Sequence, residues 1–170
     1  MSEATEQHRA AAAGKVAACA VLTVSDSRTA ATDTAGDLIV EKLEAAGNRV
    51  VRRQLVKDEP HDIGRLLGDW IREPEVQVVL TTGGTGISRR DGTVEVVERF
   101  LDQRLDGFGE LFRMLSWQEV GSAAMLSRAV AGVARDTLFF TLPGSRAAVA
   151  LALEKLILPE LPHLLFERQR

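Results

Sequence analysis

Cysteine, surplus charge and long apolar runs are all scarce in this chain, and each shortage removes a class of function. The single cysteine, Cys19, has no second thiol to pair with, which excludes a disulfide framework and a clustered-thiolate metal centre. That favours a reducing compartment and a cytoplasmic location. The formal net charge is only -3, with acidic and basic residues interleaved, so the sequence offers no electrostatic footprint for nucleic acid or for an anionic membrane. A small-molecule substrate fits better. The longest early apolar run, residues 16–24, is about half of the ~20 residues a helix needs to cross a bilayer, and it reads as a buried strand. His8, His61 and His163 are scattered without ligand spacing, and no serine or cysteine has a recognisable base beside it. Zinc and hydrolase chemistry are therefore poor fits.

What is present is enough for one core: 170 residues with 45% hydrophobic content, and no repeat, low-complexity linker or charge block to mark a second domain. The organisation expected is a flexible lead-in over 1–14, a single domain over 15–162 and a charged C-terminal tail over 163–170. Apolar runs bounded by Gly, Pro, Asp or Ser predict strands at 16–24, 50–56, 76–80 and 137–142. Helical spacing predicts helices over 34–46, 62–71, 93–100 and 108–120, then a bend at 121–124. A closing helix over 146–158 has Ser145 as its cap, and Pro159 and Pro162 are expected to end its regularity. Near-continuous apolar strands alternating with helices imply an α/β fold, one domain with a mostly parallel sheet between two helical layers.

Ligands of parallel sheets sit outside the carboxyl ends of the strands, so the segments that follow the strands are the candidate site. They read Ser25-Asp26-Ser27-Arg28, Lys57-Asp58-Glu59-Pro60, Thr81-Thr82-Gly83-Gly84-Thr85-Gly86 and Pro143-Gly144-Ser145. The glycine-rich segment lets the backbone adopt positive φ and bring N–H groups to an anion, with hydroxyls beside them. It is neither a phosphate loop with a following Lys-Ser/Thr pair nor a dinucleotide fingerprint, since Arg89 stands where the last glycine belongs. A tight strand-to-helix turn with no ligand needs the same glycines. Asp91 lies where it can cap a helix, and Asp58 where it can form a turn beside Pro60. Converging on one sheet edge, the two carboxylates instead suit Mg²⁺ shared with substrate phosphates. Ser127-Arg128 combine a hydroxyl and a guanidinium, as around a terminal phosphate, or form a solvated loop. Phe108, Leu111, Phe112, Leu115 and Trp117 read as core or subunit interface rather than as a platform for a base.

Taken in order from about Val16 to Pro159, these segments resemble the MoaB/MogA family of molybdenum-cofactor biosynthesis proteins. Further matches are Arg90-Asp91-Gly92-Thr93, Gly107-Phe108-Gly109-Glu110-Leu111-Phe112-Arg113 and Met125-Leu126-Ser127-Arg128, of which the last two look closer to the MoaB branch. The resemblance implies an α/β fold, a homotrimer or a hexamer of two trimers, and adenylylation of molybdopterin by Mg-ATP with release of pyrophosphate. It maps the family's two functional aspartates onto Asp58 and Asp91, which would hold Mg²⁺. The ligand-binding positions map onto Ser25, Thr82, Gly83, Gly84, Thr85, Gly86, Pro143, Gly144 and Ser145, and Ser127 and Arg128 would meet the pterin phosphate. Other molybdenum-cofactor assembly proteins are implied as partners. The chain departs from the family pattern at Gly92-Thr93-Val94, where many active members have Val-Thr-Pro, and at Arg146, where proline is frequent. Two other readings remain: a carrier that holds the pterin without adenylylating it, and an unrelated nucleotide-binding interaction domain whose glycine turn is only structural.

Overall fold

The computed structural model describes residues 14–168. Its six strands are β1 (Ala18–Val24), β2 (Arg49–Val56), β3 (Val78–Thr82), β4 (Gln103–Arg104), β5 (Val130–Ala134) and β6 (Thr137–Leu142). They form one sheet in the order β2-β1-β3-β6-β5-β4. The first four strands in that order run parallel, and β5 and β4 extend the edge in antiparallel pairing. The helices are α1 (Thr34–Ala45), α2 (Pro60–Trp70), α3 (Thr93–Glu98), α4 (Asp106–Val120), α5 (Arg146–Ala152) and α6 (Leu158–Arg168). A 3₁₀ segment, Gly121–Leu126, follows α4, and a widened turn, Leu153–Ile157, joins α5 to α6.

Side chains alternate across a strand, so each central strand feeds two cores. Cys19, Val21, Val78, Leu80 and Phe140 face a core shared with α1, α4, α5 and α6. Ala20, Leu22, Val79 and Phe139 face a second core filled by Ile63, Leu67 and Trp70 of α2 and by Val96 and Val97 of α3. The expected three-layer architecture is present.

Four expectations need correction. β1 begins at Ala18 rather than residue 16, since Val16 is half exposed beyond the sheet. β3 runs to Thr82, so Thr81 and Thr82 belong to the strand and not to the turn. The hairpin β5–β6 and the two-residue β4 were not expected: Val-Ala-Gly-Val-Ala is too poor in large apolar residues, and β4 too short, to leave a periodic signal. Finally, Pro159 and Pro162 do not end the closing helix. Ahead of Pro159, the Leu158 N–H donates to the Leu153 carbonyl five residues back, and this wider turn relieves the clash that a proline ring makes with an α-helical carbonyl. Buried Leu161 and Leu165 then hold α6 on the core, so residues 163–168 of the expected tail are packed helix. The lead-in over 1–13 and residues 169–170 lie outside the described residues.

Candidate active site

The carboxyl ends of β1, β2, β3 and β6 open into a cleft of about 410 Å³, lined by Ser25, Asp26, Asp58, Gly83, Gly84, Thr85, Gly86, Asp91 and Gly144 among others. The glycine turn forms its wall. Gly83 has φ +94° and donates its N–H to the Leu142 carbonyl at 3.1 Å, and a Cβ there would lie 2.1 Å from the Val24 carbonyl oxygen. Gly84 has φ +62°, and its absent Cβ leaves room for Thr93 Oγ1 and Asp58 Oδ2. Both positions favour glycine by conformation and by space, whatever binds beside them.

Asp58, just past β2, is 7% exposed. Its N–H donates to Asp26 Oδ1 at 3.3 Å, and its own Oδ1 accepts the Gly92 N–H at 3.3 Å. Burial raises the Asp58 carboxyl above its ordinary range; the Gly92 bond opposes this, while the negative charges of Asp91 and Asp26 push the same way as burial. Asp91 does not cap α3. Gly92 occupies the cap position, and the Asp91 carboxylate accepts the Ser88 N–H at 2.8 Å, closing the loop after Gly86. The two aspartates therefore reach one cleft from separate elements, and Asp58 feels the charge of Asp91.

Some expected residues take other roles. The Thr82 hydroxyl donates to the Pro143 carbonyl at 3.0 Å, tying β3 to the turn after β6. Ser25 Oγ accepts from the N–H groups of Ser27 and Arg28, and Ser145 caps α5 by accepting the Ala148 N–H at 3.2 Å. Ser127 and Arg128 do not line this cleft. Arg128 lies behind the glycine loop, where it donates from Nε to the Thr85 carbonyl at 3.0 Å, from Nη2 to the Asp91 carbonyl at 3.1 Å, and from Nη1 to Glu95. It ties the glycine loop to the loop that carries Asp91.

The sequence reading did not single out Asp26, Arg90 or Thr93 as site residues. Arg90 pairs with Asp26 at 3.1 Å and with Glu59 at 2.7 Å across the mouth of the cleft. Thr93 Oγ1 is fully buried beside Gly84, with no hydrogen-bond partner among the described residues. Position just after a strand was the available signal for Asp26, and the Arg90-Asp91-Gly92-Thr93 segment was the signal for Arg90 and Thr93; that Arg90 pairs with Asp26 and Glu59, 64 and 31 positions away, is decided by folding.

This geometry matches a known architecture. A family model described as "Probable molybdopterin binding domain" matches residues 20–163, most of the chain. The chain belongs to this molybdenum-cofactor biosynthesis family. It is 47% identical over 159 residues to the molybdenum cofactor biosynthesis protein B of Bacillus cereus, covering 93% of this chain and 94% of that protein. A crystal structure of a molybdenum cofactor biosynthesis protein B superposes with a TM-score of 0.90 at 48% identity, over 93% of this chain and 99% of the other. The tungsten cofactor synthesizing protein MoaB from Pyrococcus furiosus superposes with a TM-score of 0.83 at 38% identity, over 93% and 100%. Membership in the family, on the MoaB side, and a role in molybdenum-cofactor biosynthesis follow. No helix among the described residues is long and apolar enough to cross a membrane.

Proposed function

We propose that this protein adenylylates molybdopterin. A terminal phosphate oxygen of the pterin attacks the α-phosphorus of ATP, the bond from that phosphorus to the bridging oxygen of the β-phosphate breaks, and pyrophosphate leaves. The observation that carries this reading is the convergence of Asp58 and Asp91 on one cleft walled by the glycine turn. Transfer of this kind asks mainly for positioning and charge neutralisation, and both are available here.

Among the described residues no group of three or more His, Cys, Asp or Glu side chains gathers as a metal cage. Mg²⁺ does not need one, because it binds through one or two carboxylates together with substrate phosphates and water. Asp58 and Asp91 fit that demand and would hold the ion, which supplies neutralisation of phosphate charge. The N–H groups of the glycine turn orient the nucleotide, and Arg90, released from Asp26 and Glu59, meets the triphosphate. The protein works in the cytoplasm as a homo-oligomer, a trimer or hexamer. Exposed Leu111, Met114 and Trp117 on α4, with Met125 and Leu126 after it, form the face we assign to subunit contact. The remaining assembly proteins deliver or accept the pterin.

The test is pyrophosphate release on mixing protein, Mg-ATP and molybdopterin, with Asp91→Asn alongside. Release by the wild type and loss of at least about a hundredfold in the variant are expected, the scale of removing a group that stabilises transition-state charge. Pterin binding without release would make the protein a carrier, and an unchanged rate in Asp91→Asn would end the metal-holding role.

A further inference from the structure

At the end of the sheet opposite the cleft, where β3 and β6 begin, a groove of about 710 Å³ lies between the end of α2, the β5–β6 hairpin and α6. Its size falls within the range of small-molecule sites. Ile71, Pro74, Val76 and Leu165 line it with apolar surface, and Arg72, Arg135 and Arg168 bring three guanidinium groups to it. The two carboxylates of the lining are already engaged: Glu73 pairs with Arg52 at 2.6 Å, and Asp136 with Arg168 at 3.1 Å.

Arg135 sits at the tip of the hairpin with φ +53°, a left-handed conformation that glycine or asparagine takes at less cost. The tip is clamped through its main chain. The Arg135 N–H donates to Asp102 Oδ2 at 2.6 Å, and its carbonyl accepts from Arg168 Nη2 at 2.7 Å. A glycine could make both bonds, so the turn has no use for an arginine side chain. That side chain is exposed and has no carboxylate or carbonyl partner among the described residues. What arginine adds at the strained position is a guanidinium beside the groove, carried on a held backbone.

Arg168 supplies a second observation. Its Nε is buried and has no hydrogen-bond partner among the described residues, although its Nη2 is bound to the hairpin. A buried donor without an acceptor is costly, and an oxyanion that reaches it removes the cost while meeting the planar fork of Arg135. We propose that this groove binds a small anionic molecule through a carboxylate or phosphate group, with Arg135 as its cation and the Arg168 Nε–H as its second donor. The site is separated from the cleft of Asp58 and Asp91 by the length of β3, and it stands whether or not the transfer reading holds.

The test titrates the full chain with malonate and, separately, with glycerol 3-phosphate, at constant ionic strength and without nucleotide or pterin, and reads binding by calorimetry. Saturable binding of at least one probe is expected, and which one binds says whether the site takes a carboxylate or a phosphate. Arg135→Asn suits the left-handed turn but lacks the cation. It should unfold at or above the wild-type urea midpoint while binding at least about tenfold more weakly, the scale of one hydrogen bond to a charged group. Arg135→Lys should restore part of the affinity, Arg168→Lys should weaken it because lysine has no Nε–H in the fork, and Asp58→Asn should leave it unchanged. The proposal is overturned if neither probe binds, if Arg135→Asn binds as tightly as the wild type, or if Asp58→Asn loses binding. A lowered urea midpoint in Arg135→Asn overturns it too, because the arginine side chain would then serve the fold. So does a changed oligomeric mass in that variant, because a second copy would then supply the acceptor.

Discussion

Replacing Gly84 by alanine perturbs the wall of the cleft in a way whose size can be worked out from a matched control. Gly47 also has positive φ, +81°, but a Cβ there meets nothing within 4 Å. At either position an L-residue in this conformation costs about 1–2 kcal/mol. Loss of unfolded-state freedom returns about 0.4–1 kcal/mol. Gly47→Ala should therefore destabilise by no more than about 1.5 kcal/mol. Gly84→Ala carries the same terms and adds a Cβ placed 2.1 Å from Thr93 Oγ1 and 2.6 Å from Asp58 Oδ2. Both of those side chains are buried and neither is a flexible chain end, so overpacking of about 1–3 kcal/mol should appear on top. Urea unfolding of the two variants, fitted for midpoint and slope, reads that difference directly. In a thermal melt it amounts to roughly 2–4 °C per kcal/mol for a chain of this length. Equal destabilisation of the two variants, within about 0.5 kcal/mol by the same fits, would refute the crowding of Gly84 by Asp58 and Thr93.

Three further outcomes are expected. Because burial raises the Asp58 carboxyl in the folded state, its ionisation opposes folding near neutral pH; Asp58→Asn should be more stable than wild type there while losing adenylyl transfer. That stability advantage should shrink as pH falls through the raised folded value and vanish below the unfolded one, and urea midpoints between pH 7 and pH 3 that show a constant difference would contradict it. Arg128→Lys keeps the charge but not the fork, so bonds to Thr85, Asp91 or Glu95 must be lost. We expect about 2–4 kcal/mol of destabilisation and faster proteolysis between residues 86 and 91, with an unchanged cleavage pattern counting against the tie between the two loops. Cys19 is buried and its thiol is pushed up to about 12 by desolvation, so an aromatic disulfide reagent should label it only at the rate of opening. Rapid labelling under native conditions would show that β1 is less protected than its burial indicates.

Much of the site was legible because its parts are local. Gly83 and Gly84 stand in a run whose composition already points to positive φ, and Asp58 follows an apolar strand directly. The parallel sheet announced itself through runs such as Val78–Thr82 and Thr137–Leu142, where burial on both faces demands continuous apolar character. Residues whose role depends on distant partners were harder to read. Of the two readings open for Asp91, helix cap or metal-holding carboxylate, the cap is not what folds: its carboxylate closes a loop onto Ser88. Arg128 looked like a phosphate ligand, and its donors are taken by main-chain oxygens 37 and 43 positions away.

By itself, then, the sequence determined the layered α/β fold, the family and the chain segments that form the cleft, since each is written in the spacing of apolar residues or in short motifs. Only the tertiary structure decided which way the cations face, which hydroxyls are left without partners, and that a widened turn carries α6 past two prolines. Those outcomes depend on long-range packing and on which hydrogen-bond acceptors remain unclaimed after folding, and no local window of residues encodes them.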